Sequence, residues 1–127
     1  DAIAAIDARG FIVGAPVAYE LGCSFVPVRK KGKLPFKTIS QTYTLEYGQA
    51  EVELHSDAFR DGDRILVVDD LIATGGTMLA AAELISRSGG HVVETSAIVD
   101  LPDLGGSQRI RDAGHSVFAV CSFTEDE

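Results

Sequence analysis

The sequence predicts an α/β fold: a doubly wound, mostly parallel sheet flanked by helices, with a flexible antiparallel lid excursion. Three observations carry that expectation. Apolar runs of strand length alternate with stretches whose apolar residues recur at helical spacing. Glycines and acidic turns separate them. Residues able to do chemistry gather directly after the apolar runs, where the carboxyl ends of parallel strands open into a crevice. The chain has 127 residues, of which 46% are hydrophobic. That suits a single domain over 1–127 with a substantial core.

Taken in order, Ile3 to Ile6 reads as a short buried strand ending at Asp7-Ala8-Arg9-Gly10. "FIVGAPVAYELG" places Phe11, Ala15, Ala18 and Leu21 at helical spacing, and Gly22 stops the helix. "CSFVPVRK" is a second strand whose Pro27 is best tolerated near an edge or bulge. Lys31 to Tyr47 lacks a clear period and reads as a long excursion of the kind that forms lids and binding loops. Within it, Tyr43, Leu45 and Tyr47 share one face with Thr44 and Glu46 on the other, and Glu51 and Glu53 alternate with Val52 and Leu54. This pattern is a two-stranded antiparallel piece.

"DGD" at Asp61 to Asp63 is a turn, and Ile65 to Val68 is a central strand, apolar on both faces as buried parallel strands are. A helix runs from Gly76 to Ser88, covering one face with Met78, Ala81, Ala82 and Ile85, and Gly89-Gly90 ends it. "HVVETSAIVDL" is a strand, "SQRIRDAG" a short helix and "HSVFAVCSF" a last strand. Four strand ends are thereby expected to converge: Asp7–Gly10, Arg29–Lys33, Asp69–Thr77 and Leu101 with its neighbours.

Composition narrows the chemistry. A formal charge of −8 argues against a general nucleic-acid binder, which needs a broad basic surface. Yet every lysine falls in "VRKKGKLPFK", between Lys30 and Lys37. A local basic patch on an acidic protein suits a small anionic ligand better than a polymer. Cys23 and Cys121 both sit in apolar stretches and read as buried free thiols in a reducing compartment. No apolar run is long enough to span a bilayer. His55, His91 and His115 are scattered, without partners at ligand spacing.

The stretch "VVDDLIATGGT" is the most informative. Thr74-Gly75-Gly76-Thr77 leads into a helix, whose first turn offers unpaired N–H groups and a partial positive charge. Two glycines let the backbone approach a bound oxygen, which makes a phosphate cradle. An ordinary N-cap by Thr74 explains the loop alone equally well. The loop is neither a Walker loop nor a dinucleotide fingerprint. Asp69 and Asp70 beside it tip the balance. Phosphate bound to the amides and vicinal hydroxyls donating to the carboxylates describe one ligand, a sugar phosphate spanning both.

This stretch resembles the phosphoribosyl-pyrophosphate motif of the type I phosphoribosyltransferases. "DARGFIVGAPVAYELG", "FVPVRKKGKLP" and "YTLEYGQAEVELHSDA" are similar to consecutive blocks of the adenine phosphoribosyltransferase branch, and the likeness runs through nearly the whole chain. The resemblance implies transfer of a phosphoribosyl group from phosphoribosyl pyrophosphate to adenine, giving AMP and pyrophosphate. It also implies Mg²⁺ carried by substrate and water near Asp69 and Asp70, with no direct protein ligand. A cytoplasmic homodimer follows from it, with no nucleic-acid or membrane partner.

By the same resemblance, Arg9 and the group Arg29, Lys30 and Lys33 grip pyrophosphate. Asp69 and Asp70 hold the ribose hydroxyls, and Ala73, Thr74, Gly75, Gly76 and Thr77 bind the 5′-phosphate. Glu46 is the general acid/base toward the purine, Tyr47 covers the site and Leu101 walls the base. Spacing alone leaves Glu46 equally a solvated strand face, and leaves Leu101 an ordinary core residue. A non-proline cis peptide within Asp7-Ala8-Arg9 is also implied. So is a further stretch of several dozen residues before this chain's first block, including a Phe-Arg-Asp-Ile segment. Asp100 stands where that family more often has glutamate. Two alternatives remain on sequence: another base specificity, or a non-catalytic phosphoribosyl-pyrophosphate-binding regulator or remnant.

Overall fold

A computed structural model of the chain describes residues 1–35, 37–45 and 48–125. Glu46 and Tyr47 lie outside the described residues. Seven strands form one sheet in the order β3-β4-β2-β1-β5-β6-β7. β1 (Ala2–Ile6), β2 (Ser24–Lys30), β5 (Arg64–Ile72), β6 (His91–Asp100) and β7 (Val117–Ser122) run parallel. β3 (Thr38–Leu45) and β4 (Gly48–His55) form an antiparallel hairpin that joins β2 only at Arg29 and Lys30. Pro27 therefore sits on a stretch of β2 paired on one side alone, where a missing N–H is tolerated.

Helix α1 (Gly10–Leu21) covers one face, packing Val13, Val17 and Ala18 over Ile3 and Val68. Helix α2 (Gly76–Arg87) covers the other face over Ile6, Val28, Leu54, Ile65 and Val67. A 3-10 turn (Pro102–Leu104) and α3 (Gly106–Asp112) follow β6. From β1 the chain crosses to β2, and from β5 it crosses the opposite way to β6. The gap between the ends of β1 and β5 is thus the switch point of the winding, where such sheets bind ligands. No helix among the described residues is long and apolar enough to cross a membrane.

Four expectations change. Of the apolar set that signals α1 only Ala18 is buried, beside Gly10 and Gly14, while Leu21 is 67% exposed. The reason is close approach, since a Cβ on Gly14 would press into that of Ala5. The central strand does not stop at Val68 but runs to Ile72, so Asp69 and Asp70 lie on the strand itself, with Asp69 opposite Ala97 of β6. Much of the supposed excursion is strand β3, whose inward-leaning residues Ile39, Gln41 and Tyr43 include a polar one that blurs the alternation. Cys121 is exposed rather than buried, because it lies on the sheet's terminal strand; both thiols are free.

Candidate active site

A crevice of about 230 Å³ opens at the switch point, lined from β1 by Asp7, Ala8 and Arg9, from β5 by Asp69 and Asp70, and by the loop Ala73–Thr77. Lys30 and Tyr43 close it from the hairpin side. Each wall has a local cause.

The β1 turn begins with a cis Asp7–Ala8 peptide, within the segment where the resemblance places one. Asp7 anchors it to β2. Its N–H donates to the Val28 carbonyl at 2.9 Å, and its Oδ2 accepts from Arg29 Nε at 3.2 Å and Lys30 N at 3.3 Å. The Arg29 guanidinium also lies 5.7 Å from the centroid of the Phe11 ring. Arg29 thus braces the turn, whereas Lys30 faces the crevice and Lys33 sits on the exposed turn beyond β2. Arg9 reaches across to β5, with Nε 2.8 Å from Asp70 Oδ2. Its side chain is 74% exposed, so water screens the pair and it adds little stability by itself.

Asp69 lies under the start of α1. A Cβ on Gly10 would stand 3.0 Å from the Val68 carbonyl and 3.2 Å from Asp69 Oδ1, which shows how tightly the start of α1 lies over this carboxylate. Burial pushes the Asp69 carboxyl from 3.8 up to about 7, against the opposing hydrogen bond from the Asp70 N–H at 2.8 Å. The neighbouring Asp70 carboxylate pushes the same way and the Arg9 charge opposes. The crevice therefore holds one acid that titrates close to neutral pH, and a nearby cation or hydroxyl donors would favour its ionised form.

The loop after β5 settles the N-cap question. Gly75 at φ 85°, not Thr74, caps α2, and among the described residues no side-chain cap bonds to its first turn. The residues that carry those amides line the crevice, and free amides at a helix start are groups that can receive an anion. The loop is backed by a segment the sequence reading passed over. Gly106 N donates to the Ala73 carbonyl at 3.1 Å, and Arg109 Nη1 donates to the Thr74 carbonyl at 2.6 Å. A Cβ on Gly106 would collide with that same backbone. The Gly105-Gly106 doublet was the available signal. Tyr43, read from the sequence only as a strand-face residue, also lines the crevice; its Cδ2 would lie 3.5 Å from a Cβ on Gly76.

Leu101 does not line this crevice. It follows β6, half-buried, and its N–H donates to the Ile72 carbonyl at 3.0 Å. Three parallel strand ends and the hairpin meet here, rather than the four parallel strand ends expected. Among the described residues no cluster of three or more His, Cys, Asp or Glu could hold a metal alone.

Residues 1–118 match the family model described as phosphoribosyl transferase domain. Over all 127 residues the chain is 85% identical to an adenine phosphoribosyltransferase of Chromohalobacter salexigens, and it spans 70% of that protein's length. The crystal structure of adenine phosphoribosyltransferase from Thermoanaerobacter pseudethanolicus superposes with a TM-score of 0.92 at 48% identity, covering 97% of this chain and 70% of that one. The Saccharomyces cerevisiae enzyme, complexed with an imino-altritol bisphosphate and adenine, gives a TM-score of 0.90 at 38% identity, over 94% of this chain and 66% of that one.

Proposed function

The chain belongs to the adenine phosphoribosyltransferases of the phosphoribosyl transferase family, and from that premise we infer that it transfers the phosphoribosyl group of phosphoribosyl pyrophosphate to adenine, giving AMP and pyrophosphate. The observation that carries this reading is the pairing, in one crevice, of a helix start without a side-chain cap and twin carboxylates. A phosphate needs the first and a ribose diol the second.

In this reading the 5′-phosphate seats on the amides of Gly75, Gly76 and Thr77, with the Thr74 and Thr77 hydroxyls as further donors. Asp69 and Asp70 accept from the ribose hydroxyls and so fix the sugar's orientation. The bond from the anomeric carbon to pyrophosphate then breaks, leaving an oxocarbenium-like sugar that the nearby carboxylates stabilise. Arg9, Lys30 and Lys33 receive the departing pyrophosphate. Arg29 serves through Asp7, holding the turn that carries Arg9. Glu46 exchanges a proton with the purine, Tyr47 covers the site and Leu101 stands at the adenine end.

Two carboxylates without a third ligand fit Mg²⁺, which keeps several waters and binds through one or two carboxylates together with substrate phosphates. When bound, the ion neutralises charge on the leaving pyrophosphate. The burial that raises Asp69 is consistent with such a site, because a cation would restore its ionised form. A cytoplasmic homodimer belongs to the same proposal, supported by exposed apolar Ile12, Tyr19 and Leu21 along α1 and by two free thiols.

The test is AMP formation from adenine and phosphoribosyl pyrophosphate with Mg²⁺, run beside hypoxanthine, guanine, xanthine and orotate. Adenine-dependent AMP is expected. Preference for another base, or no turnover by the full native protein, would overturn the reading.

A further inference from the structure

Glu53 is one of four buried polar or charged residues among those described, at 5% exposure, and nothing above gives it a task. It lies in the middle of the hairpin, paired with Arg29 of β2 on one side and Ser40 of β3 on the other. No cation contacts it among the described residues. Its carboxylate instead accepts main-chain bonds from the basic turn: Oε1 takes Gly32 N at 3.1 Å and Leu34 N at 3.2 Å. Oε2 takes the Thr38 hydroxyl at 3.5 Å.

The turn it grips is Lys30–Lys33, closed by Lys33 N donating to the Lys30 carbonyl at 3.3 Å, with Gly32 at φ 86°. Lys30, Lys31 and Lys33 are all exposed on it. By taking up the inward amides, the carboxylate fixes the path of the backbone whose lysines reach outward. Lys31 has a second, exposed tie, Nζ to Glu51 Oε1 at 3.4 Å. That surface pair cannot set the backbone path as the buried carboxylate does.

We propose that Glu53 is a positioning residue for the pyrophosphate half of the site, holding the Lys30–Lys33 turn so that its ammonium groups meet the leaving anion. A buried carboxylate beneath three lysines also tempers the turn's positive potential when the site is empty. The inference rests on the proposed function, since it needs pyrophosphate at this turn.

Glu53→Asp keeps the charge but draws the carboxylate back from Gly32 and Leu34. Glu53→Gln keeps the reach and an acceptor oxygen. Calorimetric titration with Mg²⁺-pyrophosphate, and separately with AMP, reads the two halves apart, because AMP uses the loop after β5 and not this turn. Glu53→Asp is expected to weaken pyrophosphate binding about tenfold and to leave AMP affinity within about twofold. Glu53→Gln is expected to restore most of the pyrophosphate affinity. Equal loss of both ligands would mark a merely structural role and overturn the proposal, as would undiminished pyrophosphate binding by Glu53→Asp. If the unaltered protein binds AMP but not pyrophosphate, this inference fails alone. If it binds neither ligand, the functional reading fails and takes this inference with it.

Discussion

Asp69→Asn should stabilise the unliganded protein above neutral pH and not in acid. The carboxyl rises from 3.8 to about 7 on folding, with burial as the chief cause. Protons bound in the folded state then exceed those in the unfolded state between these values, so the group's contribution to stability falls as pH rises through that window. Below it both states are protonated and there is no penalty. Above it the folded protein carries the whole cost of a buried charge.

The full difference corresponds to about 4 kcal/mol. Partial access to water and the Arg9–Asp70 pair reduce that to roughly 2 kcal/mol. Asparagine keeps an acceptor for the Asp70 N–H and adds no volume. For a chain of this size the gain is worth about 7 °C in Tm. Thermal unfolding followed by circular dichroism at pH 8.5 and pH 4.5, without ligand, makes the comparison. The variant should gain near that amount at pH 8.5 and little at pH 4.5. A gain independent of pH, or a loss at pH 8.5, would refute the argument from burial. The same variant should lose most of the stabilisation that phosphoribosyl pyrophosphate and Mg²⁺ give the native chain.

Gly106→Ala should displace the phosphate loop, because its Cβ falls on the Ala73 carbonyl and the Gly75 amide; calorimetry should show AMP binding weakened about tenfold or more. Gly14→Ala should cost about 1–3 kcal/mol by chemical denaturation, through the collision with Ala5, with AMP affinity little changed in the folded fraction. Glu46→Gln should lower turnover far more than phosphoribosyl pyrophosphate binding, checked by steady-state kinetics beside calorimetry; equal losses would remove its proton-transfer role.

Much of the architecture was legible because it is written in local periods. Apolar runs marked β1, β5, β6 and β7, and helical spacing marked α2 with its glycine stop. The adjacent acids and the Thr-Gly-Gly-Thr loop marked two walls of one crevice. The chemistry of those residue types needs no partner to be recognised, since a helix start binds anions and a carboxylate accepts hydroxyls wherever they occur.

What tertiary structure decided is how distant segments act on those residues. The close passage of Gly10 over the end of β5 adds to the burial that raises Asp69, and no spacing within "VVDDL" contains that. Only the fold turns Arg29 onto Asp7, brings Gly106 and Arg109 behind the phosphate loop, and sets Glu53 under the lysine turn. Helix α1 packs by Val13, Val17 and its buried Gly10 and Gly14, and not by Leu21, for the same cause. Burial is a property of what lies opposite a residue, and what lies opposite is chosen by chain segments tens of positions away.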